Sequence, residues 1–344
     1  MSTPIVPTPI AAPQTVTFPT ATGDFLTVPA LGIGTWAWGD SLYWTYGKDY
    51  GEADLHQAFT AALAAGITFF DTAEVYGLGE SERLLGKFTQ ALEADPRASV
   101  QLATKYFPWP WRIFPQAVGE ALTHSLDRLQ TPSIPLYQVH WPFEFLVRQP
   151  ALMEALAQEV QRGRIRAVGV SNYSAAQMRQ AHQLLARHGV PLASNQVQYS
   201  LLERSIEQNG VLDTARELGV VILAYCPLAQ GLLTGKYHPN LTAPTAAPAA
   251  ENPAIPVAAG ARSLNPRFKG AGLAKIQPLI QELQALATHY DRTAAQVALN
   301  WLIAQGTLPI PGAKTAQQAT QNAGALGWQI TPAEQESLAQ ACPR

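Results

Sequence analysis

Residues 68–105 read TFFDTAEVYGLGESERLLGKFTQALEADPRASVQLATK. A short apolar run, Thr68–Thr72, stops at turn residues; a segment of helical period, Glu80–Glu93, follows; a second apolar run, Val100–Lys105, comes next. Short apolar runs bounded by breakers have the pattern of buried strands, and a longer amphipathic segment between them has that of a helix. Two strands joined through a helix lie parallel, and a parallel strand has to be covered on both faces.

The same unit recurs in both directions along the chain. Strands are predicted at Leu31–Trp36, Leu136–Trp141, Ala167–Ser171, Ser194–Tyr199, Val220–Tyr225 and Leu308–Gly312, which makes eight with the two above. Helices are predicted at Glu52–Ala65, Pro115–Leu129, Ala151–Arg162, Ala175–His188 and Ile206–Leu218. Eight such units imply an α/β fold, the (β/α)8 TIM barrel. The competing open, doubly wound sheet needs a dinucleotide fingerprint behind an early strand. Gly32-Ile33-Gly34-Thr35-Trp36-Ala37 stops at GxG with no helix opening directly after it.

Thr15–Phe18 and Phe25–Val28, on either side of a turn at Gly23-Asp24, predict a β-hairpin suited to plugging the barrel's bottom. Residues 1–14 are expected to be a loose arm and 15–344 a single domain. One stretch breaks the pattern: Pro239–Ala259 holds five Pro, eight Ala and one charge in 21 residues. Such a composition buries too little apolar surface to offset ordering, so 237–268 is expected to be a mobile loop. Its place after the seventh strand predicts a lid beside a phosphate site.

Composition excludes other classes. A chain of 344 residues with 47% hydrophobic and 14% charged residues can bury a sizeable core. A formal charge of -2 gives no field to gather nucleic acid or an anionic membrane. Cys226 and Cys342 cannot make a disulfide framework, and neither stands at metal-ligand spacing, so no metal is expected and a reducing cytoplasm is. The N-terminus lacks a basic region followed by an apolar core, and no window approaches ~18 uninterrupted apolar residues. A protein neither secreted nor membrane-spanning is the expectation.

In a barrel the reacting groups stand at the C-terminal ends of strands. Asp71, Lys105 and His140 close the second, third and fourth predicted strands, and Tyr76 follows Asp71 on the same loop. Together they permit proton donation to a developing oxyanion. A tyrosine hydroxyl with an ordinary pKa of about 10 would be lowered by the Lys105 ammonium. Asp71 would hold Lys105 charged, and His140 would donate to the same oxygen. None of the four is a hydride source, so a carbonyl acceptor requires an external cofactor.

These residues lie in stretches that closely resemble the aldo-keto reductases: Gly32–Trp36, Gly66–Gly77, Ala103–Lys105, Gln138–Trp141, Ile165–Tyr173, Asn195–Tyr199 and Ile310–Lys314. The resemblance spans essentially Leu31 to Leu326. It implies a monomeric barrel that reduces small-molecule aldehydes and ketones with NADPH, giving NADP+, with Asp71, Tyr76, Lys105 and His140 as a tetrad and Tyr76 as proton donor. It implies that Ser171, Asn172 and Gln196 hold the nicotinamide carboxamide, that Tyr225 stacks on the ring, and that Gly34, Thr35 and Trp36 form a lip around it. Pro227, Leu228 and Gly231 after the seventh strand and Ile310 after the eighth would bind the cofactor, Gly312, Ala313, Lys314 and Thr315 would receive the 2'-phosphate, and Lys236 and Arg262 would add phosphate contacts from the lid. Gln318, Gln321 and Asn322 would lie towards the adenine. Two positions depart from the pattern. Gln321 stands where many relatives carry an acidic residue, and no arginine follows Lys314 closely.

Trp36, Tyr76, Phe107, Trp109 and Trp141, with Trp111 nearby, are expected to line the substrate mouth, which favours apolar carbonyls over sugars. Two other readings stay open. One is a cofactor-binding regulatory subunit resembling potassium-channel beta subunits; the other is a lyase or isomerase using Lys105 as a Schiff base.

Overall fold

The computed structural model describes residues 15–144, 147–238 and 265–343. Two antiparallel strands come first, β1 (Thr15–Pro19) and β2 (Phe25–Pro29), with Thr15 opposite Pro29 and Pro19 opposite Phe25. Eight parallel strands then follow one another around a single sheet in chain order: β3 (Ile33–Gly34), β4 (Phe69–Asp71), β5 (Gln101–Tyr106), β6 (Ile134–Val139), β7 (Ile165–Ser171), β8 (Leu192–Gln198), β9 (Val221–Tyr225) and β10 (Leu308–Pro309). The sheet closes where the Gly32 N–H donates to the Pro309 carbonyl and the Gly34 N–H to the Pro311 carbonyl, both at 3.0 Å. The barrel expected from the sequence is the fold observed. Its first and last strands are shorter than predicted because pairing at this seam is irregular.

The helices are α1 (Glu52–Ala64), α2 (Glu80–Gln90), α3 (Ala94–Ser99), α4 (Gln116–Leu129), α5 (Gln149–Gln161), α6 (Ala175–Ala186), α7 (Val211–Leu218), α8 (Gly270–His289), α9 (Ala294–Ala304), α10 (Ala316–Ala323) and α11 (Pro332–Ala341). The helix predicted at Ile206–Leu218 is interrupted: a short turn at Ser205–Glu207 precedes α7, since Gly210 adopts φ 81 between them. Among the described residues no helix is long and apolar enough to cross a membrane. The predicted arm, and the central part of the predicted lid at 239–264 with Arg262, lie outside the described residues. At the edges of that segment Tyr237 and Phe268 are buried against each other, edge to face, with centroids 5.2 Å apart.

The lumen is built in layers two residues apart, as the alternation of a strand requires. At its lower end Phe69, Ala103, Leu136, Ala167, Leu223 and Leu308 point inward and pack with Phe18, Leu26 and Val28 of the hairpin. Phe18 stacks on Phe69 with centroids 5.9 Å apart. The hairpin therefore plugs the barrel, and burying each such side chain contributes about 1.5–3 kcal/mol. Two residues further along the same strands the inward positions become Asp71, Lys105, Gln138, Gly169 and Tyr225, while Ile310, two residues beyond Leu308, stays apolar. Gly169 is a spatial requirement there, because a Cβ would fall 2.2 Å from the Ser194 hydroxyl and 2.9 Å from Gln138 Cγ. The apolar floor thus gives way, within one repeat, to a buried polar layer.

Candidate active site

Asp71 and Lys105 face each other at the ends of adjacent strands. Lys105 Nζ donates to Asp71 Oδ2 at 2.5 Å and to the Thr72 carbonyl at 2.7 Å, and both side chains are buried. Asp71 Oδ1 accepts from Gln138 Nε2 at 3.0 Å and Gln196 Nε2 at 2.8 Å. The carboxylate is thereby bonded on both oxygens, the condition under which a buried ion pair is tolerated. Burial pushes the Lys105 ammonium down, and the Asp71 charge opposes that. Held by two acceptors out of reach of solvent, the amine is badly placed to attack a carbonyl. This weighs against the Schiff-base reading.

Tyr76 starts a tight turn after β4, its N–H donating to the Ala73 carbonyl at 3.0 Å. Gly77 is needed for that turn: a Cβ would fall 2.5 Å from the Gly39 carbonyl oxygen. The Tyr76 ring lies with its centroid 5.1 Å from Lys105 Nζ and 5.8 Å from the His140 ring, edge to face. The expected lowering by Lys105 is overturned. Burial first, and then the Asp71 charge, push the Tyr76 hydroxyl well above its ordinary value. The reason is that Lys105 is already matched by a carboxylate, so desolvation of the phenolate dominates.

His140 follows β6, its N–H donating to the Tyr106 carbonyl at 2.9 Å. Burial, with a contribution from Lys105, pushes its imidazole down to about 3. The ring is neutral near pH 7 and carries one N–H. Its buried Nδ1 has no hydrogen-bond partner among the described residues. The four residues expected to converge do so.

Ser171 ends β7 and Asn172 follows it. The Ser171 hydroxyl donates to the Gln196 carbonyl at 2.8 Å, Asn172 Nδ2 donates to Ser171 Oγ at 3.1 Å and to the His140 carbonyl at 3.2 Å, and the Tyr225 hydroxyl donates to Asn172 Oδ1 at 3.1 Å. Asn172 holds φ 62, a conformation costly for a non-glycine residue. Beyond β9 the backbone turns left-handed again at Cys226, Ala229, Gln230 and Gly231, on either side of Pro227 and Leu228. Lys236 Nζ lies 5.0 Å from the Tyr237 ring centroid.

After β10, Ile310 donates its N–H to the Ala224 carbonyl at 3.0 Å, and the Ala313 carbonyl accepts from Trp38 Nε1 at 2.8 Å. Thr315 caps α10 by accepting from the Gln318 N–H at 3.3 Å, while Gln318 Oε1 accepts from the Lys314 N–H at 2.8 Å. Asn322 Nδ2 donates to the Gly312 carbonyl at 3.3 Å, and the Gln321 carbonyl accepts from Gln296. Lys314 Nζ stands 4.5 Å from the Tyr50 ring centroid and 5.7 Å from that of Trp44.

The donor set fits a dinucleotide: amide and hydroxyl groups for a carboxamide at one end, an ammonium at a capped helix N-terminus for a phosphate at the other. Besides the Ser171, Asn172, Tyr225, Gln318 and Asn322 bonds given above, two further expected groups are engaged within the protein. The Gln196 amide N–H serves Asp71, and the Thr35 hydroxyl donates to the Asp71 carbonyl at 3.0 Å.

Phe107, Trp109, Trp111, Phe143 and Trp141 form a continuous path outward. Phe107 meets His140 edge-on at 5.5 Å and Trp109 at 4.4 Å; Trp109 stacks on Trp111 at 4.7 Å, and Trp141 on Phe143 at 5.6 Å. Trp36, on the loop after β3, stacks on Tyr43 at 4.9 Å. Trp111 is 68% exposed and Trp141 36%, so the path ends in solvent. Sequence reasoning gave no role to Gln138, Glu74 or Arg112. Only Gln138 left a signal, a polar residue at the inward alternation of a run whose neighbour Leu136 is core.

The family model for the aldo/keto reductase family matches residues 30–342. A pyridoxal reductase, chloroplastic, of Arabidopsis thaliana is 41% identical over 326 residues, covering 91% of this chain and 83% of that one. Among solved structures, a glycerol dehydrogenase from Gluconobacter oxydans aligns with a TM-score of 0.77 at 28% identity, over 95% of this chain and 94% of that one. An aldo-keto reductase from Klebsiella pneumoniae in complex with NADPH aligns with a TM-score of 0.69 at 28% identity, over 96% and 95% of the two chains.

Proposed function

The chain belongs to the aldo/keto reductase family, and from that membership we propose that it reduces aldehydes and ketones to alcohols with NADPH, Tyr76 giving the proton. The observation that carries this is the Tyr76 ring standing edge to face with His140 and 5.1 Å from Lys105 Nζ, whose ammonium is paired with the Asp71 carboxylate.

The carbonyl oxygen would sit between the Tyr76 hydroxyl and the His140 N–H, both donors. A phenol whose pKa is raised stays protonated throughout the working range. Its proton leaves only when the oxygen becomes an alkoxide, a stronger base than a phenolate. The Lys105 ammonium then stabilises the tyrosinate, and Gln138 and Gln196 keep the Asp71 carboxylate turned towards that ammonium. The nicotinamide, when bound, supplies hydride to the carbonyl carbon. Ser171, Asn172 and Tyr225 are proposed to hold its ring end; Gly34, Trp36, Pro227, Leu228, Gly231, Lys236, Ile310, Gly312 and Ala313 to line its length; and Lys314 with Thr315, Gln318, Gln321 and Asn322 to hold the adenosine phosphate end.

The aromatic path favours carbonyls on flat apolar or aromatic frames. Pyridoxal is a natural first compound, since a relative carries the name pyridoxal reductase. A reducing compartment, the cytoplasm on our reading, suits two cysteines that are both free. The test is loss of NADPH absorbance against a panel of aldehydes, repeated with NADH. Turnover on aromatic aldehydes is expected, faster with NADPH. Binding of NADPH without turnover on any carbonyl would instead favour a regulatory subunit on the same scaffold.

A further inference from the structure

Phe107, Trp109 and Trp111 stand on an insert outside the barrel's own ladder, and one ion pair fastens that insert. Glu74 lies between Asp71 and Tyr76 in the turn after β4. Arg112 Nη1 and Nη2 donate to Glu74 Oε1 and Oε2 at 2.5 and 2.8 Å, a two-pronged contact. Nη1 also donates to the Phe107 carbonyl at 2.7 Å, and the Phe107 N–H donates to Glu74 Oε1 at 2.6 Å. The guanidinium covers the Tyr106 ring, 4.9 Å from its centroid. Within the insert, the Trp109 N–H donates to the Phe107 carbonyl at 2.9 Å and the Arg112 N–H to the Trp109 carbonyl at 3.0 Å.

Glu74 and Arg112 keep only 8% and 17% of their side-chain exposure. Withdrawing two charges this far from water is unfavourable unless the geometry is tight, and such a pair serves better to fix an arrangement than to add stability. The arrangement fixed here is specific. It locks the backbone of Phe107 on both its N–H and its carbonyl, and the Phe107 ring is the element of the aromatic path that touches His140.

We propose that the Glu74–Arg112 pair is a positioning device for substrate specificity. It ties the loop bearing Tyr76 to the insert bearing Phe107 and Trp109, and so sets the aromatic wall against which a flat aromatic carbonyl compound lies; this rests on the carbonyl-reductase reading above. Both residues act through the wall and not on the reacting atoms. A small aliphatic aldehyde, too short to lean on Trp109, does not need it.

The experiment compares wild type with Arg112→Met, Arg112→Lys and Glu74→Gln on 2-naphthaldehyde and on propanal, with NADPH affinity measured by fluorescence. In Arg112→Met, kcat/KM for 2-naphthaldehyde should fall about tenfold or more, mostly through KM, because misplacement by about an ångström is that costly. For propanal it should stay within about threefold, and NADPH affinity should not change. Arg112→Lys keeps the charge with one prong and should fall between. Equal losses on both aldehydes, or no loss on either, overturn the proposal. If Arg112→Met does not fold, Glu74→Gln, which still offers Phe107 an acceptor, is judged by the same ratio. Near-ultraviolet circular dichroism of the stacked Trp109–Trp111 pair is read alongside. A wild type that reduces neither aldehyde overturns the carbonyl reading, and the pair is then judged by the dichroism alone: a signal unchanged in Arg112→Met overturns it.

Discussion

The floor of the barrel lumen and the layer above it belong to the same strands, two residues apart, and have opposite chemistry. Phe69, Ala103, Leu136 and Leu223 meet the hairpin's Phe18, Leu26 and Val28 in a wholly apolar contact. Asp71, Lys105, Gln138 and Tyr225 stand one inward position higher, where every buried polar group demands a partner. The floor can therefore be made from the hydrophobic effect alone, and it needs only volume. The upper layer needs particular atoms at particular distances, and the stable floor is what allows the strands to carry it. The comparison predicts that changes in the upper layer act on turnover and changes in the floor on stability.

The largest effect tests the upper side. Tyr76→Phe keeps the ring against His140 and Lys105 and removes only the hydroxyl. With the general acid gone, kcat should fall by roughly 10²–10⁴-fold, about 2.7–5.5 kcal/mol, while NADPH affinity and the melting temperature stay near wild type. More than about a tenth of wild-type kcat remaining would show that the proton comes from elsewhere. The next tests the floor: Leu136→Ala leaves a cavity beneath Gln138 and should cost about 2–5 kcal/mol of stability. Measured below its melting transition, the variant should turn over within about threefold of wild type. A much larger loss of kcat would show that the layers are not separable and that the floor tunes the site.

The sequence made the layering partly legible. Asp71, Lys105 and His140 are each an ionisable residue closing an apolar run, and the strand period places them at one mouth. The barrel itself was readable because its strands are short and apolar and its helices long. What stayed hidden depends on distance in the chain. Gln138 reaches Asp71 across 67 positions and Arg112 reaches Glu74 across 38, and no local pattern records such a pairing. The acidity of Tyr76 was misjudged for a related reason. A lysine in the sequence looks like a free positive charge, whereas in the fold it is spent on a carboxylate 2.5 Å away and burial decides the outcome.

A smaller effect is expected outside the lumen, at Lys314. It sits at the N-terminus of α10 and lies over Tyr50, so its removal deletes one charged donor from the proposed phosphate end. Loss of a charge-assisted hydrogen bond costs roughly 1.5–3 kcal/mol, so Lys314→Ala should weaken NADPH by about 10- to 150-fold. NADH, without the 2'-phosphate, should weaken far less. Equal weakening of both nucleotides, measured by fluorescence titration, would mean that the lysine acts through the Tyr50 loop and not through a phosphate.

The smallest effect joins both halves of the comparison in one residue, since His140 belongs to the polar layer yet affects stability through its titration. Its folded pKa is held near 3, against 6.5 unfolded, chiefly because burial disfavours the imidazolium. The unfolded chain therefore binds the proton more readily between these values. The sign follows: the contribution is whole above about pH 6.5 and is lost as pH falls from there through about 3. Over the first pH unit below 6.5 the loss should be on the order of 1 kcal/mol. His140→Asn removes the titrating group, so between pH 7 and 5 the wild-type denaturant midpoint should fall relative to the variant's as the medium becomes more acidic. Turnover should give the complementary result: if a neutral His140 donates the hydrogen bond, the pH profile of kcat has no inflection near 6.5 from this residue. An inflection there that vanishes in His140→Asn would place the working histidine in its charged form and reverse its assignment within the layer.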